Sequence, residues 1–382
     1  MSPAPALAPR FGPSTLPYGV ADGRVVTRLA DGVVPVGDVI ADDVFEQPSL
    51  NRFMAEGPEA WSEARRALTA FVARSGGASF TPVADVELGL PFDVGDFVDF
   101  YSSLHHASNL GRLFRPGGDP LLPNWRRLPV GYHGRSGTVV RSGTTVMRPT
   151  GLVQTEGGVE RRPACALDIE LEVGFVVGVG SERGQSIAVD DADAHVFGAV
   201  LLNDWSARDI QAFEYQPLGP FLGKSFLTSI SAWVVPLDAL RDFLIPAPAQ
   251  EPAPDAALRG ERPWAIDLEL AVELNGTTIS RTSFADLYWT FAQQLAHLTS
   301  NGATTRTGDL FASGTVSGSE PGTCGSLIEL TWRGRDPIVL TDGSCRTFLE
   351  DGDTVVLRGW CGEGEARVDF GEVAGTVVPA GA

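Results

Sequence analysis

Apolar positions along the chain follow two different periods, and the change from one to the other outlines the architecture. Trp61, Leu68 and Phe71 share one helical face and predict a helix from Trp61 to about Ser75, with Gly76-Gly77 as its stop. A second helical stripe, Phe284, Leu287, Phe291, Leu295 and Leu298, follows Ser283 as a cap and runs to Asn301-Gly302. Elsewhere the pattern is that of strands. Thr138–Met147 reads as two short runs around Ser142-Gly143, Asp168–Val177 as a strand of increasing burial, and His195–Asn203 as a strand apolar along most of its length. Ile266–Leu274 and Thr277–Thr282 flank Asn275-Gly276, a strong hairpin signal. Leu327–Trp332, Pro337–Leu340, Asp353–Arg358 and Val373–Val378 are further strands, Gly131–Arg135 is a tight turn, and residues 246–257 form a Pro- and Ala-rich surface loop. Many strands with one long helix and no βαβ rhythm argue for a β-dominated C-terminal domain. Near Leu90-Pro91 the character changes, and from Asp93 polar and charged residues become dense. That shift places a boundary at about residue 92, dividing the chain into domains 1–92 and 93–382.

Charge and cysteine usage narrow the function classes. The 382 residues carry 29 Lys+Arg against 48 Asp+Glu, a net charge of −19. That balance argues against a basic nucleic-acid-binding face and against docking on anionic membranes. Gly (44) and Pro (27) are abundant, but a hydrophobic share of 43% makes this a turn-rich globular chain rather than a disordered one. Cys165, Cys324, Cys345 and Cys361 contain no CxxC pair and read as reduced thiols. Residues 1–7 lack the charged start and apolar core of a signal peptide. The apolar run Val173–Val179 falls far short of the ~18 residues of a membrane span. The expectation is a soluble, cytoplasmic protein.

Three segments carry candidate chemistry. In Asp168-Ile-Glu170-Leu-Glu172, alternation puts the three carboxylates on one side of a strand. That is either a solvated acidic face or a site for a hard cation, because same-face neighbours ~6.8 Å apart can share one ion. The apolar His195–Asn203 strand ends in Asp204, and Ser206-x-x-Asp209 has the form of a capping box. On a helix after it, Arg208, Gln211 and Tyr215 would share a face, either an ordinary polar one or a set that holds carboxylate and carbonyl oxygens. Lys224 stands alone among apolar and Gly residues, without the glycine spacing of a phosphate loop. Finally, the adjacent His105 and His106 point to different faces of any regular element. One is suited to general-base work, while a structural role remains open for either.

Longer collinear motifs identify the family. DFYSS-x-x-HA at Asp99–Ala107, LPNW-x-x-LPVGYHGR at Leu122–Arg135 and LD-x-ELE at Leu167–Glu172 are joined by HVFG at His195 and LNDWSARDIQ at Leu202–Gln211. PLGPFLGKSF at Pro217–Phe226, ASGTVSG at Ala312–Gly318 and GSLIELTW at Gly325–Trp332 complete the set. Together they resemble the fumarylacetoacetase (fumarylacetoacetate hydrolase) family over most of residues 93–382. The resemblance implies a mainly β fold, with a small SH3-like N-terminal β-barrel and a larger β-rich catalytic domain, assembled as a homodimer. It implies Mg²⁺ or Ca²⁺ bound by Asp99, Glu170, Glu172 and Asp204, with Lys224 and Thr228 at further metal-associated positions, Lys224 through its backbone carbonyl. His106 would be the general base, oriented by Glu329 on the polar face of the Leu327–Trp332 strand. Arg208 and Lys224 would stabilise charge. Tyr101, Arg115, Gln211, Tyr215 and Thr315 would bind a small β-diketone dicarboxylate, fumarylacetoacetate, for hydrolysis of its C–C bond to fumarate and acetoacetate. The chain departs from the family pattern at His105, Leu227 and Ala232. A related acylpyruvate or β-diketone hydrolase would keep the metal carboxylates, but usually lacks the N-terminal domain and the DFYSS-x-x-HA context.

Overall fold

The computed structural model describes residues 9–75 and 80–381. The expected Gly76-Gly77 helix stop and the reading of residues 1–7 lie outside that range. The N-terminal unit is a four-stranded antiparallel sheet, Tyr18–Ala21, Arg24–Leu29, Gly32–Pro35 and Thr81–Pro82, beside the helix Pro58–Ser75. Pro58 suits the first helical position, where its missing N–H has no intrahelical partner to lose. Trp61, Ala64, Leu68 and Val72 are its buried face, and Phe71 is half-buried against the same cluster.

The centre of the molecule is an eight-stranded sheet. Its main path runs Gly131–His133, Phe97–Phe100, Leu310–Ala312, Leu171–Val177, Val196–Asp204, Thr228–Ile230 and Val139–Arg141, and Val235–Pro236 also pairs with Val196–Asp204. A five-stranded sheet, Thr277–Ser283, Glu269–Leu274, Thr354–Cys361, Val368–Val378 and Val146–Met147, packs on one face of it. Ala199 and Leu201 belong to the core between the two sheets, whereas Val200 and Leu202 belong to a second core shared with Tyr18, Phe53 and Trp61 of the N-terminal unit. The Val196–Asp204 strand is apolar on both faces because both faces are covered. Phe197 marks the junction, with Trp61 edge-on at 5.4 Å between centroids. Asn275 and Gly276 hold the expected hairpin turn at positive φ, +49° and +75°.

Several local expectations are corrected. The stripe after Ser283 is not one helix. Ser283 caps only the 3₁₀ turn Phe284–Asp286, the chain then extends, and Thr290 with Gln293 opens the helix Phe291–Thr299 through a full capping box. The break lets Tyr288 and Trp289 enter the core, where Trp289 Nε1 donates to the Trp125 carbonyl. Leu327–Trp332 is not a strand but a single helical turn, Leu327–Leu330, ended by Trp332 and Arg333 at positive φ. Gly131–His133 is a strand rather than a turn. His195 closes a short helical turn, and the following strand starts at Val196. Asp168–Val177 is split into Leu167–Asp168 and Leu171–Val177, so Asp168 does not share a regular face with Glu170 and Glu172. Ser206 does not cap the helix Arg208–Glu214, because Ser206-Ala207 pairs as a strand with Leu167-Asp168 and the Ser206 hydroxyl donates to the Asp204 carbonyl.

Candidate active site

Strand register assembles the acidic half of the site. Asp99 stands opposite Tyr132 on one neighbour and Ala312 on the other, and Asp204 stands opposite Thr228. The Asp204 N–H donates to the Glu170 carbonyl, which brings the end of one strand beside the start of the next. Asp99, Glu170 and Glu172 are buried and converge so that one carboxylate oxygen from each lies within 4.8 Å of the others. Asp99 Oδ1 and both oxygens of Glu172 are buried without a hydrogen-bond partner. A cluster of that kind is costly without a cation. Burial, followed by the charge of Asp204, pushes the Asp99 carboxyl up to about 8. Burial and the charge of Asp99 raise Glu172 well above the usual carboxylate range.

Glu170 and Asp204 are instead satisfied by cations and hydroxyls. Lys224 Nζ bridges Glu170 Oε2 and Asp204 Oδ2, the latter at 2.9 Å, and Arg208 Nη1 reaches Glu170 Oε1 at 2.8 Å. Burial alone would raise Glu170, but Lys224 and Arg208 outweigh it and hold the group down at about 2. Asp204 also accepts from Thr228 Oγ1 at 2.7 Å and from the Tyr132 hydroxyl at 3.0 Å. Tyr132, Asp204, Lys224 and Thr228 line a cleft of about 270 Å³. The side chain of Lys224 thus engages the carboxylates themselves. Tyr132 is a site residue that the sequence reading missed, because its flanking glycines read as a turn; its place inside LPVGYHGR was the available signal.

The second half is a histidine–carboxylate pair. Ser103 caps the helix Leu104–Phe114 by accepting from the His106 N–H, and its own hydroxyl donates to the Ser317 carbonyl. His106 is buried, whereas His105 on the next helical position is half-buried. His106 Nδ1 lies 2.6 Å from Glu329 Oε2. Since an ionised carboxylate can only accept, Nδ1 carries the hydrogen, which in the neutral imidazole leaves the lone pair on Nε2. Glu329 accepts in addition from Ser317 Oγ at 2.9 Å, Ser326 Oγ at 2.7 Å and Asn109 Nδ2 at 2.9 Å. Burial would raise Glu329, but His106 and these donors hold it at about 2. Asn109, Ser317 and Ser326 carried no signal in the sequence beyond lying within or next to motifs.

The Tyr101 ring stands edge-on to His106, 5.3 Å between centroids, and burial together with Glu329 raises its hydroxyl above the usual tyrosine range. Thr315 Oγ1 and Arg208 Nη2 are buried with no hydrogen-bond partner. Gln211 Oε1 accepts from Arg208 at 3.2 Å, as one shared helix face predicts. Tyr215 and Arg115 are exposed, Arg115 donating to the Pro120 carbonyl. Gly314, at φ +76°, lets the Thr315 segment approach the Phe100 carbonyl, which a Cβ would meet at 2.1 Å. Among the described residues no helix is long and apolar enough to cross a membrane.

Comparison with known proteins matches residues 15–91 to the description "Fumarylacetoacetase N-terminal" and residues 97–378 to "Fumarylacetoacetate (FAA) hydrolase C-terminal". A fumarylacetoacetase of Homo sapiens is 45% identical over 96% of this chain and 95% of its own. One from Arabidopsis thaliana is 43% identical over 97% and 96%. Among solved structures, a fumarylacetoacetate hydrolase from Exiguobacterium antarcticum has a TM-score of 0.56 at 17% identity, covering 96% of this chain and 99% of that one. A maleylpyruvate hydrolase from Sphingobium sp. SYK-6, solved with manganese(II) and pyruvate, has a TM-score of 0.55 at 14% identity, covering 96% and 100%. At those identities the two structures share the fold.

Proposed function

The chain belongs to the fumarylacetoacetate hydrolase family, and we propose that it hydrolyses the C–C bond of 4-fumarylacetoacetate to fumarate and acetoacetate, the last step of tyrosine and phenylalanine breakdown. The observation that carries this reading is the buried His106–Glu329 pair in the same site as a cradle of three converging carboxylates. The donor chemistry of the cradle fits a hard divalent cation. It has oxygen ligands, no thiolate or imidazole, and three buried carboxylate oxygens lacking any partner. Asp99, Glu170 and Glu172 would hold Mg²⁺ or Ca²⁺, with Asp204, Lys224 and Thr228 closing the site behind them. When bound, such an ion supplies Lewis-acid polarisation of the diketone oxygens.

The protein's own groups account for the proton traffic. His106 Nε2 takes a proton from water, and the resulting hydroxide attacks the carbonyl next to the fumaryl double bond. Glu329 holds the imidazole in the productive tautomer and stabilises the imidazolium. The free Nη2 of Arg208 and the Thr315 hydroxyl are the donors left for the developing oxyanion. The C–C bond then breaks, its electrons pass to the acetoacetate carbon, and the proton on His106 returns to that carbon. Lys224 balances the charge of Glu170 and Asp204 rather than touching the oxyanion. Tyr101, Gln211, Tyr215 and Arg115 are assigned to substrate, Arg115 to a terminal carboxylate. The match to both family parts over nearly the whole chain supports this substrate above an acylpyruvate. It also agrees with a division near residue 92, and the family resemblance is our reason for proposing a homodimer working in the cytoplasm. The test offers purified protein fumarylacetoacetate and an acylpyruvate, with chelator and with Mg²⁺. Fumarate release from the first alone, dependent on metal, is expected; preference for the acylpyruvate would refute the assignment.

A further inference from the structure

We propose that Asp168 is a positioning residue that locks the carboxylate cradle and the His106–Glu329 pair into one arrangement. The inference rests on the roles given above to Glu170, Arg208 and Glu329. Asp168 is fully buried, and its carboxylate accepts four hydrogen bonds. They come from the N–H groups of Ile169 at 2.7 Å, Leu327 at 2.7 Å and Ile328 at 3.1 Å, and from Arg208 Nε at 2.7 Å. A carboxylate offers about four lone-pair sites, so this one is saturated and has none left for a metal or a substrate.

Its partners lead to both halves of the site. Ile169 directly precedes Glu170, at the point where the strand is broken and the Glu170 N–H turns to Asn203 Oδ1. Arg208 passes on from Asp168 to Glu170 Oε1 and Gln211 Oε1. Leu327 and Ile328 open the four-residue turn that carries Glu329. A single helical turn has no stability of its own, because nucleation is the costly part of helix formation. The place of Glu329, and through it of His106, therefore depends on what anchors that turn. Leu167–Asp168 and Leu327–Leu330 are far apart in sequence, and the Asp168 carboxylate is the side chain that bonds both to the turn and to Arg208.

The experiment is Asp168→Asn in the full chain, with Asp353→Asn as the control. Asp353 is likewise buried and bonded to Arg346, Asn275 and the Glu350 N–H, but lies just before the Thr354–Cys361 strand of the five-stranded sheet. The amide keeps the shape of Asp168 but turns part of an acceptor into a donor, facing Arg208 or a backbone N–H. Loss of a group that orients ligands through others typically costs 10–100-fold. The expected result is a ~10–100-fold fall in kcat with KM within about threefold, and a loss of similar size in Mn²⁺ affinity, read by electron paramagnetic resonance without substrate. Both variants should melt at lower temperature, but Asp353→Asn should keep wild-type kcat and Mn²⁺ affinity. If Asp168→Asn does not fold, Asp168→Glu, which keeps the charge but displaces it by one methylene, is measured against the same criteria. Wild-type kcat and Mn²⁺ affinity in the folded Asp168 variant, or losses equal to those of Asp353→Asn, would overturn the proposal. The Mn²⁺ measurement is made without turnover, so it stands apart from the catalytic reading, which falls separately if His106→Ala keeps wild-type turnover.

Discussion

Replacing the buried Glu329 by Gln tests the catalytic role proposed for the His106–Glu329 pair. The substitution keeps the shape of the side chain and removes its charge. In the native protein Oε2 accepts from His106, Ser317 and Ser326, and Oε1 accepts from Asn109. Serine hydroxyls rotate, so their bonds survive. The new NH₂ group must face either Asn109 Nδ2 or the His106 Nδ1–H, a donor against a donor. The larger effect concerns the proton that His106 acquires during reaction. A 2.6 Å bond to an ionised carboxylate is worth ~1.5–3 kcal/mol, and it is forfeited where the new NH₂ faces Nδ1–H. At ~1.4 kcal/mol per decade this predicts a ~10–100-fold loss of kcat, rising towards 10³ where the unpaired Gln also turns the imidazole. KM should change little, because Glu329 does not reach substrate. Steady-state kinetics on metal-loaded protein, with circular dichroism to confirm folding, measures both. A kcat within threefold of wild type would refute the orienting role, and a rise in KM alone would make Glu329 a binding residue. Stability gives an independent check. Glu329 is displaced from 4.5 to about 2, corresponding to about 3 kcal/mol. Because the folded value is the lower one, that contribution is complete above pH ~4.5 and is lost as pH falls towards 2. The Glu329→Gln variant should therefore lose less stability than wild type across that interval.

Three further outcomes follow from the geometry. His106→Ala should lower kcat by ~10²–10⁴-fold while still binding Mn²⁺, and His105→Ala should stay within severalfold of wild type; the reverse order in the kinetics would mean that the register of the helix is misassigned. Cation affinity, measured by titration calorimetry with Mg²⁺, should rise from pH 6 to about 8, because Asp99 must lose a proton to bind; a flat profile would exclude that coupling. The same raised value means that in metal-free protein the stability due to protonated Asp99 is complete below pH ~3.8 and is lost as pH rises through about 8. Glu172→Gln should abolish the thermal stabilisation that saturating Mg²⁺ gives the wild-type protein; a full metal-induced rise in Tm in that variant would remove Glu172 from the ligand set.

The chain's pattern and motifs determined a good deal of this protein unaided. The Asn275-Gly276 hairpin, the buried face of Trp61 and Leu68, and the helix bearing Arg208 and Gln211 were legible because period and turn chemistry are local properties. Most of the candidate site residues lie within the motif runs that identify the family, although Arg115, Tyr215 and Thr228 lie outside them. Tertiary structure decided what local pattern cannot carry. LIELTW alternates as a strand would, yet Leu327–Leu330 is a helical turn because a carboxylate 159 residues away captures the Leu327 N–H. Phe284 to Leu298 keep a helical period, yet the chain leaves the helix so that Tyr288 and Trp289 can fill the core. Asp168, Glu170 and Glu172 look equivalent in sequence. A break in the strand and the reach of Arg208 make the first a saturated anchor and leave the other two in the cradle. Which carboxylate is saturated and which stays in the cradle is set by the groups that arrive from distant strands, because hydrogen-bond saturation depends on partners in space and not on neighbours in the chain.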